Sequence, residues 1–217
     1  MRKEQIINIY FIVGYFGSGK SEFCVNFAIQ KNFDYLCDLD VINPYFRSRQ
    51  TIDILTQHQI KVVSSIEPEA RYLDMPLLSE EIFELYKNNR KVIYDLGGST
   101  AGAKLIKQFE EYEKQPYALL FIINVFRPET NNVQKIVTEM QNIEESSGLK
   151  ITGLINNSNL LSQTTEADLI SGQSIIQEVV KITKVPLLYT SYIKDLKTHQ
   201  KFDGEAIILN KYLAKHT

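Results

Sequence analysis

Cysteine and histidine are too sparse in this chain to build a disulfide framework or a zinc or nickel site. The two cysteines, Cys24 and Cys37, sit inside hydrophobic patterns, and the three histidines, His58, His199 and His216, are scattered. Packing in the core of a protein from a reducing compartment is the expected role of both thiols. An excess of one charge is also lacking. A formal net charge of −2 creates no global field to gather nucleic acid or an anionic membrane, so no nucleic-acid partner is expected. No apolar run reaches membrane length. The charged start Met1-Arg2-Lys3-Glu4-Gln5 leads into a run that ends at Val13, too short to span a bilayer and followed by no small-residue cleavage site. A cytoplasmic protein with no stable membrane anchor is therefore expected. Internal repeats, low-complexity tracts and Pro/Gly/Ser-rich linkers are missing as well. The 217 residues, 44% hydrophobic and 23% charged, are read as a single domain over 1–217.

What is present is a series of short apolar runs, at 6–13, 35–39, 92–94, 117–123, 151–155 and 185–188. Near-continuous hydrophobicity with little alternation is what strands covered on both faces require. Between them lie segments of helical period. Phe23, Cys24, Phe27 and Ala28 leave Glu22, Asn26 and Gln30 as a polar stripe; Val133, Ile136, Val137 and Met140 repeat the pattern. Ile175, Ile176, Val179 and Val180 do so again, after a capping-box pattern of Thr165 with Asp168. Alternating strands and helices predict an α/β fold, a three-layer domain with a mainly parallel sheet flanked by helices and ligands beyond the carboxyl ends of its strands. The irregular stretch 64–79 reads either as a lid or as a surface connection.

The strongest motif is Gly14-Tyr15-Phe16-Gly17-Ser18-Gly19-Lys20-Ser21, directly after an apolar strand and directly before an amphipathic helix. In the pattern GxxxxGKS, backbone N–H groups of the loop converge on phosphate oxygens and the helix amino terminus adds partial positive charge. Lys20 is expected to reach the outer phosphates as a catalytic point charge, and Ser21 to ligate Mg²⁺. A three-layer P-loop NTPase domain is the fold this implies.

Carboxylates are then expected at other strand ends. Asp95, in Val92-Ile93-Tyr94-Asp95-Leu96-Gly97-Gly98, is a candidate to hold Mg²⁺, with the Gly97 or Gly98 amide sensing a terminal phosphate. In Asp38-Leu39-Asp40 the two carboxylates alternate and share one face of a strand. Asp40 is the candidate to position or deprotonate an attacking water, and Asp38 to support the metal. Alternatively, both cap the next helix or pair with Arg47 and Arg49.

These segments, in this order, resemble the MinD/ParA/CobB/CobQ branch of P-loop NTPases. The resemblance also takes in Leu154-Ile155-Asn156-Asn157 at the end of a late strand. It implies that Asn156 or Asn157 recognises the adenine edge, and that a homodimer is possible. Segments 40–47 and 124–128 look most like poorly characterised bacterial ATP-binding proteins of that branch. One position departs from the pattern. MinD and ParA relatives carry a second lysine after the first glycine, which crosses a dimer to the partner's nucleotide; here Tyr15 stands there. Arg47, Arg49 and Arg127 are candidates to supply a cation instead.

Guanine-specific relatives use Asn-Lys-x-Asp, a tetrapeptide missing from this chain, so ATP with Mg²⁺ is the expected cofactor pair. Residues 203–215 show helical spacing through Ile208, Tyr212 and Leu213 without a strong basic stripe. They read as a helix packed back on the sheet rather than a membrane-targeting one. Three functions fit: a slow Mg-ATPase switch read by a protein partner; a phosphotransferase or ligase using Arg71 and the 64–79 stretch for a small-molecule acceptor; or a module that holds ATP without hydrolysing it.

Overall fold

The computed structural model describes residues 6–39, 49–64, 78–112, 115–196, 198 and 200–213. Asp40, Arg47, Arg71 and most of the 64–79 stretch lie outside the described residues, and Arg49 is described in its backbone alone.

The elements run β1 (Ile9–Val13), α1 (Lys20–Gln30), β2 (Tyr35–Leu39), α2 (Arg49–Gln57), β3 (Lys61–Ser64), α3 (Glu80–Lys87), β4 (Val92–Leu96) and α4 (Ser99–Leu105). A 3₁₀ segment (Ile106–Tyr112) follows, then β5 (Tyr117–Ile123), α5 (Val133–Ser147), β6 (Gly153–Asn156), α6 (Glu166–Thr183), β7 (Leu187–Ile193) and β8 (Glu205–Leu209). Among the described residues they form one eight-stranded sheet, β3-β2-β4-β1-β5-β6-β7-β8, in which every neighbouring pair is parallel. The predicted α/β architecture is what the structure shows. β1 lies between β4 and β5, so the loop after β1 opens at the middle of the sheet.

Alternation along each strand divides the core in two. Ile9, Phe11 and Val13 join Cys37, Leu39, Tyr94, Leu119 and Phe121 on one face. Ile12 joins Leu36, Ile93, Leu120 and Ile122 on the other, beneath Phe23, Cys24 and Phe27 of α1. Cys24 and Cys37 are therefore buried on opposite faces, as free thiols. The helix signals read from sequence hold locally. Thr165 and Asp168 form a reciprocal capping box at α6, and Asn132 accepts from the Lys135 N–H at the start of α5.

The described part of the carboxyl-terminal segment, residues 203–213, holds no helix. Residues 205–209 form β8, with Ile207 and Leu209 buried on the α1 side of the sheet. The helical spacing of Ile208, Tyr212 and Leu213 lost to two tertiary interactions. β8 pairs with β7 from Tyr189↔Glu205 to Ile193↔Leu209, and its far side meets the polar stripe of α1. Gln30 donates to Ile208 O (2.7 Å) and accepts from Ile208 N (3.2 Å); Asn26 donates to Asn210 O (3.0 Å) and accepts from Asn210 N (2.8 Å). Glu22 accepts from Tyr212 N (2.7 Å) and Leu213 N (3.0 Å). Side chains spaced by four along the helix thus satisfy backbone groups spaced by two along the chain, which covers a sheet edge that would otherwise invite another strand. Burial pushes the Glu22 carboxyl above its ordinary value, and the Tyr212 and Leu213 N–H groups oppose that shift.

The wholly buried Asn26 is the middle contact of this rail. Asn26→Ala strands the Asn210 backbone and should destabilise the fold by about 1–3 kcal/mol. The loss is measurable as a lowered denaturation midpoint with faster amide exchange confined to the carboxyl-terminal segment.

Candidate functional site

β1 feeds directly into the GxxxxGKS loop, and α1 begins at its lysine. Two glycines adopt left-handed backbone, Gly17 at φ 72° and Gly19 at φ 87°. A side chain at Gly19 would also lie 2.4 Å from Asn157 Nδ2, so both strain and space require glycine there. Gly19 is the helix N-cap and offers no side-chain hydrogen bond to the first turn of α1, whose N–H groups point into the loop. Lys20 is buried and folds back across the loop, donating from Nζ to Gly14 O (3.0 Å) and Tyr15 O (3.1 Å). Ser18 N donates to Tyr15 O (3.1 Å), closing the turn. The buried Ser18 Oγ has no partner among the described residues. This is a concave array of donors closed by an ammonium group, the chemistry of an anion site.

The sheet brings the predicted carboxylates to this loop. Asp38 and Asp95 are register partners on β2 and β4, and Asp95 is in turn opposite Ile12 of β1, so both acids share the face covered by α1. Both are buried. Ser21 Oγ donates to Asp95 Oδ2 at 2.6 Å. Cys24, one turn further along α1, meets the same carboxylates; burial first, and then the Asp95 charge, push its thiol well up and leave it unreactive. Asp95 lies within β4 rather than after it, because the strand extends to Leu96, two residues beyond the predicted end. Gly97 and Gly98 follow, and Gly98 abuts Phe16 of the loop, where a Cβ would lie 3.8 Å from the Phe16 Cβ.

Asn156 and Asn157 are buried at the end of β6 and both amides are committed to the protein. Asn157 donates to Ser18 O (2.7 Å) and accepts from Ser191 Oγ of β7 (2.7 Å). Asn156 donates to Leu169 O (3.4 Å) and accepts from Ser158 N (3.1 Å). Asn157 is thus a strut between the loop and β7, and Asn156 ties β6 to α6. Two contacts were not legible in the sequence. Ser191 is one of several hydroxyl-bearing residues in β7, Tyr189-Thr190-Ser191-Tyr192, with nothing local to single it out. Arg127, from the loop after β5, donates from Nε to Gly17 O at 2.8 Å. The Tyr15 hydroxyl reaches Glu129 of that same loop, whose charge pushes it above its ordinary value.

No family profile and no curated protein matches this sequence. Solved structures do. The cell division protein FtsY of Thermotoga maritima matches with a TM-score of 0.57 at 15% identity, over 87% of this chain and 62% of that one. Chloroplast FtsY of Physcomitrella patens matches with a TM-score of 0.54 at 13% identity, over 86% of this chain and 58% of that one. The fold is that of a P-loop NTPase. This chain spans less than two thirds of the length of either structure. Among the described residues, no helix of this P-loop NTPase fold is long and apolar enough to cross a membrane.

The strut can be tested apart from any ligand. Asn157→Ala leaves Ser18 O buried without its partner, while the Ser191 hydroxyl keeps Asn156 O at 3.3 Å, and should cost about 1–3 kcal/mol in a urea titration.

Proposed function

We propose that this chain is a slow Mg²⁺-dependent ATPase that acts as a nucleotide switch for a protein partner. The observation that carries this reading is the preformed anion loop, with buried Lys20 drawn across it and Ser21 in contact with Asp95 at 2.6 Å. Mg²⁺ is a hard cation that prefers oxygen ligands, and a serine hydroxyl beside two buried carboxylates fits it. Ser21 would hold the ion with Asp95, through water, and Asp38 as support. Bound there, Mg²⁺ would neutralise charge on the outer phosphates. Gly14, Tyr15, Phe16, Gly17, Ser18 and Gly19 would wrap the phosphates with backbone N–H groups, and Lys20 would transfer its contact from the Gly14 and Tyr15 carbonyls to the outer oxygens.

Gly97 or Gly98, the latter beside Phe16, would sense a terminal phosphate through its amide, and α4, which starts at Ser99, would carry the change outward. Asp40, two residues beyond Asp38, would position the attacking water. ATP is favoured over GTP because the aspartate that reads guanine has no counterpart: three residues past Asn157, the asparagine fixed to the loop, stands Leu160. Membership of the MinD/ParA/CobB/CobQ-like branch is supported by Asp38-Leu39-Asp40 at the end of the strand that neighbours Asp95. Tyr15 stands where the second lysine of that branch would be, so a homodimer of this chain would not be built on a lysine exchanged between nucleotide sites.

Thermal stability tests the reading directly. Mg-ATP at a hundred times its dissociation constant contributes about 2.7 kcal/mol, a rise in midpoint of roughly 5–10 °C for a chain of this size. The rise should vanish in Lys20→Ala, and no shift with any nucleotide would refute the proposal. Asp40→Ala should retain the shift and lose phosphate release, which a single-turnover assay would detect.

A further inference from the structure

β1 divides the ligand-binding end of the sheet. On one flank lie β4 and β2, with Asp95 and Asp38. On the other lie β5, β6 and β7, whose carboxyl ends lead to Arg127, Asn157 and Ser191. Asp95 and Asp38, the carboxylates proposed to support the cation, stand on the first flank. A nucleotide whose phosphate chain follows residues 14–21 must then extend its sugar and base across the second.

Arg127 stands on that second flank, on a loop held in shape by its own polar groups. Buried Asn124 accepts at its carbonyl from Arg127 N (3.1 Å) and Thr130 Oγ1 (2.7 Å), and at its side chain from Phe126 N (3.0 Å). The side chain also ties this loop to the next one, donating to Asn159 O (3.1 Å) and accepting from Asn159 N (3.3 Å). The guanidinium is fixed by Nε to Gly17 O, and its Cζ lies 3.2 Å from where a Cβ on Gly17 would stand, so it rests on the loop itself. Among the described residues no carboxylate pairs with Arg127, and its terminal nitrogens have no protein partner. The tied neighbouring loop presents Leu160 and Leu161, 41% and 71% exposed. Leu161 is held at φ 57°, a conformation leucine rarely adopts, with its N–H on Asn159 Oδ1 at 3.3 Å.

We infer that Arg127 is a nucleobase-positioning residue, whose guanidinium stacks on the face of the base while the two exposed leucines form an apolar rim. The inference rests on the nucleotide-binding reading above and names the part of the nucleotide that Arg127 meets. Recognition by the face suits a site in which the Asn156 and Asn157 amides are committed to the protein, because every base has a π face to offer a cation. It also separates Arg127 from the role of the missing second lysine, which acts at the phosphates.

Calorimetric titration of wild type and Arg127→Ala with Mg-ATP and with Mg-tripolyphosphate, the phosphate chain without sugar or base, distinguishes the two roles. Stacking predicts that Arg127→Ala weakens Mg-ATP by about 5- to 30-fold while tripolyphosphate stays within about twofold. Equal weakening of both ligands would place Arg127 at the phosphates or in support of the loop, and unchanged Mg-ATP affinity would remove it from the site; either result overturns the assignment. An unchanged thermal midpoint without ligand shows that the variant is folded. If wild type binds neither ligand, the nucleotide reading fails, and the Arg127 assignment falls with it.

Discussion

A buried ammonium ion sets the terms for this site. Placing the Lys20 charge out of water is costly unless strong acceptors surround it. The Gly14 and Tyr15 carbonyls are such acceptors, and they can converge on Nζ only when the backbone between β1 and α1 is wound tightly enough. That winding puts Gly17 and Gly19 in left-handed conformations and leaves Ser18 O facing inward, where Asn157 takes it up. The Asn157 amide lies so close to Gly19 that any side chain there would strike it, so loop and strut constrain each other. The loop is thus held in one shape by its own protein contacts.

Strand order then sorts the chemistry around that loop. β1 is hydrogen-bonded to β4 and β5, consecutive strands that both lie far from it in sequence, and its central place separates Asp38 and Asp95 from Asn157 and Arg127. Asp38 and Asp95 face each other across one ladder, with Ser21 supplied by the helix that covers the same face. Two buried acids so placed repel each other and favour a cation between them and an anionic ligand. On the other flank no carboxylate pairs with Arg127 among the described residues, which leaves its guanidinium available to a neutral aromatic ring. Under the proposed function, the same sorting would limit where a triphosphate could point its outer end, through topology rather than through any single contact.

Local features were legible in the sequence and long-range ones were not. The loop is eight consecutive residues flanked by a strand and a helix, and the capping box of α6 needs residues three apart; neither depends on the rest of the chain. β5, wholly apolar but for Tyr117, reads as a buried strand on composition alone. β8 does not, because Glu205-Ala206-Ile207-Ile208-Leu209 suits a helix or a strand, and the decision is made by Gln30 and Asn26, 178 and 184 residues away. β3 escaped notice because only Val62 and Val63 of its four residues are apolar, between Lys61 and Ser64. Asp38 and Asp95 were recognisable as strand-end acids, but that they share one ladder follows from β2 lying beside β4. The same limit applies to Asn157: its neighbours suggested a polar end to a strand, whereas its partner Ser18 is 139 residues earlier.

Helix α1 joins these two scales. Its first residue is the lysine of the loop, its second meets Asp95, and its third, Glu22, already grips the carboxyl-terminal segment through Tyr212 and Leu213. Four and eight residues on, Asn26 and Gln30 extend the grip along the edge of the sheet. Helices in a packed core move as rigid bodies because each turn is bonded to the next, so a shift of the first turn cannot be absorbed within the helix. If Lys20 and Ser21 exchange their protein partners for ligand oxygens, as proposed, any displacement they undergo would be resisted by these side-chain contacts or passed through them. The polar stripe read from the sequence is the point at which the loop before α1 and the described end of the chain are mechanically connected.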